Sequence, residues 1–174
     1  KMSSISNHEL EVRLHEESWI STGLWLPSGL IGEIISHTGT MSCLHIQVGS
    51  HTESLLTRQG PWKRWPVVFS TFELAGEVTR IASPFGGIVY IAVQDLDPEF
   101  EHRAKLTFNG FARHPRAVLG KPEIWQQSKD FGVPWAELYS KTLIFTLPTK
   151  DLKRIDDIEP ALTHLDDIVA HVTQ

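Results

Sequence analysis

Apolar and polar residues alternate over short runs, each closed by glycine or proline, and this pattern limits the chain more than any other feature. Leu10, Val12 and Leu14 face one way while Glu9, Glu11 and Arg13 face the other, and Leu44, Ile46 and Val48 alternate with His45 and Gln47. A period of two belongs to a half-buried strand. Residues 31–35 form a short apolar strand, 67–74 and 77–81 read as two strands around Ala75-Gly76, and 105–112 sets Leu106 and Phe108 against Lys105 and Thr107. Ser83-Pro-Phe-Gly-Gly87 is a strong turn signal, followed by Ile88-Val-Tyr-Ile-Ala-Val93. That run is continuously β-branched and aromatic, which fits a central strand. So many short strands with Gly and Pro turns predict a mainly β chain, folded as an antiparallel, jelly-roll-like β-sandwich.

Residues 18–29 are a strand of β-formers carrying Trp19 and Trp25, interrupted by Gly23 and closed by the turn Pro27-Ser28-Gly29. Such glycines and turns are shape requirements, and nothing in the stretch is a catalytic device. His15-Glu-Glu-Ser18 makes the turn into it; residues 37–41 and 95–101 read as polar and acidic connections. Residues 50–66 have no sustained period and predict a long loop, a length that compact domains reserve for function or disorder. Trp62 and Trp65 point to an ordered one, because tryptophan is rare in disordered segments.

After Arg113 the texture changes. Pro122 can start a helix that stops near Gly132, and 142–147 is one more strand. From Thr149, a plausible N-cap, the chain turns helical, and Pro160 suits the first residue of a last helix. The expected division is therefore a sandwich over 1–148 and a C-terminal helical extension over 149–174. Leu162, Leu165, Val169 and Val172 form one apolar stripe on that last helix. Burying each contributes about 1.5 to 3 kcal/mol, so the stripe either folds back on the sandwich or meets a partner beyond Gln174.

The chemistry searched for narrows the function. A chain of 174 residues buries roughly two-thirds of its unfolded surface, enough to fold without metal or disulfide. A net charge of −5 argues against a nucleic-acid partner, which needs a basic face. Cys43 is the sole cysteine; it forms no intrachain disulfide and reads as a buried strand-end thiol. No apolar run of about 18 residues exists to span a membrane. Lys1 precedes Met2, as expected of a processed or excised piece of a longer chain.

Two His-Glu pairs, His8-Glu9 and His15-Glu16, invite a zinc reading. A helical zinc site needs His-Glu-x-x-His, so that both imidazoles share a face. The fifth positions are Val12 and Trp19, and the pairs read as solvated polar residues; no metal ligand is assigned. The nine histidines are scattered, and His45 and His51 converge only if the loop after Gly49 folds back on its strand. Neither a phosphate loop nor a nucleophile elbow occurs, and no catalytic residue is assigned. Six tryptophans in a β chain are core filling by default. Trp62-Lys-Arg-Trp65, however, puts two rings and two cations where no core strand is expected. Exposed rings stack on sugars or anchor a protein interface. His51, Glu53, Trp62 and Trp65 are the candidate substrate-binding residues.

Three runs together resemble one family. Trp19-Ile-Ser-Thr-Gly-Leu-Trp-Leu-Pro-Ser-Gly29 resembles its "Trp, x, Ser-Thr-Gly, Leu-Tyr, x, Pro, x, Gly" signature. Ile46-Gln-Val-Gly-Ser-His-Thr-Glu-Ser-Leu55 resembles its "Ile-Gly-Cys-His-Thr-Asp-x-Leu" run, and Pro84-Phe-Gly-Gly-Ile-Val-Tyr-Ile91 its "Pro-x-Gly-Gly-Leu-x-Tyr-Ile" run. Pro134-Trp-Ala-Glu-Leu138 and residues 142–148 match the connection onward. The family is that of the enhancin-like, mucin-targeting (M60-like) zinc metallopeptidases, which also includes the TRP-channel-associated factors. Ser50 replaces the family's usual Cys and Glu53 its usual Asp; the first removes a thiol, the second lengthens a carboxylate's reach.

The resemblance implies that 1–148 is the non-catalytic N-terminal sandwich of a zinc metallopeptidase acting on mucin-like glycoproteins, and that 149–174 begins the helical catalytic part. It places zinc in the full-length parent, leaves this chain inactive alone, and gives the terminal stripe its partner in the catalytic domain that follows. It also implies an extracellular or cell-surface setting. Two alternatives stand beside it: a protein-interaction module of the channel-associated-factor type, and a free-standing carbohydrate-binding sandwich.

Overall fold

The computed structural model describes residues 2–14, 19–38, 43–74, 76–94 and 102–172. The expected turn at 15–18, the 37–41 connection beyond Thr38 and the 95–101 loop lie outside the described residues. The chain forms two compact units, Ser4–Ala112 and the residues from Arg113 onward. The change of texture after Arg113 marks this division. The compact units do not divide at 148, because strands after Arg113 share a core with the helices.

The first unit is a pair of antiparallel sheets. One contains β1 (Ser4–Ile5), β3 (Trp19–Leu26), β5 (Leu44–Val48), β6 (Ser70–Glu73), β8 (Gly87–Val93) and β10 (Phe111–Arg113), in the order β1-β10-β3-β8-β5-β6. The other contains β2 (His8–Leu14), β4 (Ile31–Ser36), β7 (Val78–Ala82) and β9 (His102–Asn109), in the order β2-β9-β4-β7. The predicted sandwich is thus the observed fold class. The run expected as one strand over 105–112 is two, because the chain crosses between sheets at Gly110. The run expected over 67–74 is a strand only at Ser70–Glu73.

Alternation builds the core. Leu24, Leu26, Ile46, Val48, Val89, Ile91 and Phe111 come from one sheet, and Val12, Leu14, Ile34, Ile81, Leu106 and Phe108 from the other. Phe108 and Phe111 meet edge to face, ring centroids 5.4 Å apart, a favoured aromatic geometry. Cys43, just before β5, is partly buried against this core. β8 is central, between β3 and β5, and all seven of its residues are buried.

The β3–β8 ladder slips between Ser21 and Leu24. There the Thr22 hydroxyl donates to the Val89 carbonyl (2.7 Å) and accepts from the Leu24 N–H (3.2 Å), replacing the interrupted backbone pairing. Gly23, at φ 74°, supplies the left-handed step of this bulge. The Ser-Thr-Gly of the sequence is therefore a bulge with its own hydroxyl patch.

The second unit holds a three-stranded sheet, β11 (Arg116–Val118), β12 (Trp135–Tyr139) and β13 (Ile144–Pro148), in that order. β11 and β12 are parallel, with α1 (Pro122–Ser128) in the crossover; β12 and β13 form an antiparallel hairpin. α2 (Thr149–Leu152) and α3 (Glu159–Val172) follow. Ala117, Trp125, Leu138, Leu152, Ile158 and Leu162 are buried together. The helix opened by Pro122 ends at Ser128, where the hydroxyl bonds the Ile124 carbonyl (2.7 Å) and accepts from the Arg116 N–H (3.0 Å). Thr149 begins α2 and does not cap it; its hydroxyl donates to the Val133 carbonyl at 2.8 Å. Pro160 is the second residue of α3, behind Glu159.

The apolar stripe of α3 divides. Leu162 is buried and Leu165 packs against the same core, whereas Val172 is 80% exposed. Midway, the Asp166 carboxylate pins the helix to the β12–β13 turn, accepting from the Lys141 N–H (3.1 Å), the Thr142 N–H (3.1 Å) and the Thr142 hydroxyl (2.7 Å). Partial desolvation would raise its pKa, but the hydroxyls of Ser140 and Thr142 and the two backbone donors outweigh it and hold the group at about 2. Among the described residues no helix is long and apolar enough to cross a membrane.

Candidate binding surface

Three turns meet at one end of the sandwich, and their contacts are mostly backbone. Gly29 N–H donates to the Ser83 carbonyl (2.9 Å), the Ser28 hydroxyl donates to the Pro84 carbonyl, and Gly49 N–H donates to the Ile88 carbonyl (2.8 Å). A Cβ on Gly86 would stand 2.5 Å from the Leu26 carbonyl oxygen, and one on Gly87 would stand 2.5 Å from the Gly49 nitrogen. Only glycine permits that approach. The three runs that resemble the family signatures are thus the segments brought together here.

The loop beyond Gly49 is tied down from within. The buried Gln47 amide donates to the carbonyls of Gly49 (2.9 Å) and His51 (3.0 Å), and the Leu55 N–H closes on the Pro66 carbonyl (2.9 Å). Arg64 Nη2 donates to Glu53 Oε1 at 2.7 Å, with His51 Nδ1 at 3.5 Å from the same oxygen. The Glu53 pKa lies below the usual carboxylate range; the carboxylate's bond with its own backbone N–H is the largest cause, and the neighbouring His51 and Arg64 add to it. Two candidates, His51 and Glu53, therefore lie side by side, and Arg64, not among the candidates, bonds the same Glu53 oxygen. Arg64 lay inside the Trp-Lys-Arg-Trp run.

The tryptophans do something else. Trp62 Nε1 donates to the Arg58 carbonyl at 3.0 Å, fixing its ring, which stays 43% exposed. Trp65 is 69% exposed and its ring lies 6.2 Å from that of Phe85, tilted by 47°. Phe85, also missed, sits in the Ser-Pro-Phe-Gly-Gly turn, where an aromatic has no strand face to fill. Core filling accounts for Trp25 and Trp125, both buried, and leaves Trp19, Trp62, Trp65 and Trp135 partly exposed. What the loop presents is an exposed aromatic surface, and the same loop carries the Glu53–Arg64 ion pair. A separate cavity of about 550 Å³ in the second unit, walled by Pro134, Trp135, Pro148 and Lys150, gathers none of these residues.

Residues 3–107 match the model of the N-terminal domain of M60-like peptidases. The chain belongs to the M60-like family. Among curated relatives, "TRPM8 channel-associated factor 3" of Rattus norvegicus is 31% identical over 164 residues, covering 92% of this chain and 18% of that protein. "TRPM8 channel-associated factor 1" of Bos taurus is 32% identical over 160 residues, covering 90% and 17%. The M60-like chain thus spans less than a fifth of the length of these relatives.

Solved structures share the fold at low identity. The IMPa metallopeptidase of Pseudomonas aeruginosa, in complex with an O-glycopeptide, superposes with a TM-score of 0.65 at 15% identity, over 86% of this chain and 18% of that one. The catalytic module of the Clostridium perfringens metalloprotease ZmpA gives 0.67 at 11% identity, over 93% and 40%.

Proposed function

We propose that this chain is the non-catalytic N-terminal sandwich of a secreted or cell-surface zinc metallopeptidase acting on mucin-like glycoproteins, which it supports by scaffolding the catalytic half and positioning glycosylated substrate. The observation that carries the substrate part is the exposed Trp65–Phe85 pair on a clamped loop. Flat rings offer the apolar C–H faces of a sugar a stacking surface whose ordering cost is already met by the fold. Trp62 extends the platform. Beside the rings, the Glu53 carboxylate held by Arg64 and the adjacent His51 offer polar groups to a sugar hydroxyl.

Zinc is proposed only for the part of the protein that follows. Among the described residues no three His, Cys, Asp or Glu side chains gather to hold a metal. The test is titration of the chain with an O-glycopeptide followed by NMR. Shifts should concentrate at the Trp62, Trp65 and Phe85 indoles and rings, and Trp65→Ala should weaken binding roughly tenfold, the order of a lost aromatic anchor. Unchanged affinity in a Trp62→Ala/Trp65→Ala variant removes the glycan role from this loop.

A second reading has its own support. The channel-associated factors, at 27–32% identity, match this chain at higher identity than the solved peptidases do, at 11–16%. On that reading the same aromatic surface anchors a protein partner inside a protein without peptidase activity. A degenerate zinc motif in the downstream sequence favours it; an intact His-Glu-x-x-His motif favours the peptidase.

A further inference from the structure

The second unit contains a hollow in which neither the loop tryptophans nor the family signature runs take part. Its volume is about 550 Å³, and its walls include Val133, Pro134, Trp135, Pro148, Lys150 and Lys153. A hollow of that size suits a small molecule, and small-molecule sites pair mostly apolar walls with a few polar groups.

The β12–β13 hairpin and the chain on either side of it supply the apolar walls. Trp135 and Pro148 are Cα partners at the end of the hairpin, so their side chains share a face. Two bonds from Thr149 stitch the neighbouring backbone together: its N–H donates to the Pro134 carbonyl (2.8 Å) and its buried hydroxyl to the Val133 carbonyl (2.8 Å). Trp135 nonetheless keeps 37% of its surface exposed, a large ring that the core beneath does not take up.

The charged wall comes from α2 and the residue that ends it. Lys150 and Lys153 both line the hollow, and they differ. Lys153 Nζ donates to Asp130 Oδ1 at 2.6 Å, and that bond holds the Asp130 carboxyl below its usual range. Lys150 has no carboxylate partner among the described residues. The hollow thus offers one aromatic ring, two prolines and one uncommitted cation.

That combination selects a ligand. Proline brings no N–H, and the carbonyls of Val133 and Pro134 already accept from Thr149, so a hydroxyl-rich sugar finds few partners on these walls. A flat apolar ring stacks on Trp135, and an anionic group meets the Lys150 ammonium. We propose that this hollow is a binding site for a small ligand carrying a flat apolar ring and one anionic group, a carboxylate or a phosphate. The inference depends on neither zinc nor the glycan reading of the 51–66 loop.

The test is NMR titration of the 174-residue chain with three probes that share a phenyl ring: benzoate, phenyl phosphate and uncharged benzyl alcohol. At least one anion should shift the Trp135 indole and the amides of 148–153 saturably, with an affinity at least about tenfold above that of benzyl alcohol. Comparison of the two anions distinguishes a carboxylate site from a phosphate site. Lys150→Ala should weaken the preferred anion about tenfold, Lys150→Arg should keep most of the affinity, and Trp135→Ala should weaken all three probes. Lys150 is exposed, and unmoved amides at 88–93 verify that each variant is folded. Benzyl alcohol binding as tightly as the anions overturns the proposal, as does a saturable site that Lys150→Ala leaves untouched. So does the absence of any saturable shift at Trp135. An O-glycopeptide that fails to bind at Trp65 sinks the glycan reading and leaves this site standing, so the two fail separately.

Discussion

β8 and β13 are both apolar runs with few polar interruptions, and the fold treats them in opposite ways. Ile88, Val89, Tyr90, Ile91, Ala92 and Val93 are all buried, flanked by β3 and β5. Ile144 and Phe145 stand nearly half exposed at the end of a three-stranded sheet. Intrinsic preference makes both of them strands; only the neighbours supplied by the rest of the chain decide whether the apolar side chains leave water. The sandwich carries its neighbours within Ser4–Ala112. The unit from Arg113 onward covers the helix side of its sheet and leaves the tip of β13 open.

The largest expected effect separates the two strands directly. Ile91 is fully buried, so Ile91→Ala should cost about 2 to 5 kcal/mol. Ile144→Ala should cost less than about 1 kcal/mol, since little area leaves water there. Urea denaturation of the two variants gives the comparison, and equal losses would break it. Next comes Gly87→Ala, which sets a methyl against the Gly49 backbone at 2.5 Å and should cost roughly 1 to 3 kcal/mol by overpacking. The same substitution at Gly120, where a Cβ meets nothing within 4 Å but φ is +74°, measures a left-handed backbone cost without any clash.

A smaller effect tests the tether. The Asp166 pKa is depressed to about 2 from an ordinary 3.8, so its stabilising contribution is complete above the unfolded value and is lost as pH falls through the folded one. NMR signals of α3 should therefore hold their positions down to about pH 3 and move with a midpoint at about pH 2. In Asp166→Asn that transition should disappear. Persistence of the transition in the variant would assign it to another group. The smallest expected effect is at the loop: Arg64→Ala removes an exposed ion pair, which contributes little to global stability. Its signature should be faster exchange of the 51–66 amides at nearly unchanged global stability.

Much of the sandwich was legible because its strands alternate. Leu10, Val12 and Leu14 fall on one face of β2 as their spacing requires, and the unbroken run at β8 is central as its composition requires. What escaped was structure without alternation. β12 has Ala136, Glu137 and Leu138 buried in succession, with a carboxylate in the middle of the run. Glu137 is tolerated there because the Tyr139 hydroxyl donates to it at 2.6 Å and His114 Nε2 lies 3.3 Å away. No one-dimensional pattern announces such a partner. With β11 and β12 unseen, the core that receives Leu162 was unseen too, and the stripe of α3 looked partnerless along its whole length.

The loop was legible in part for a similar reason. Two tryptophans outside any strand flagged 51–66, and His51 and Glu53 do come together. The pairing of Glu53 with Arg64 spans 11 positions, and Phe85 reaches Trp65 from a different turn. Both contacts depend on how glycine-rich turns approach one another, which local sequence does not encode.

The most direct test of the contrast between the strands is native-state hydrogen exchange of the 174-residue chain, read at β8 and β13 in one sample. The β8 amides should exchange only by global unfolding, while those of residues 143–147 not bonded to β12 exchange through small local openings. Protection of residues 143–147 equal to that of β8 in a monomer would contradict the account, for the open strand would already be covered.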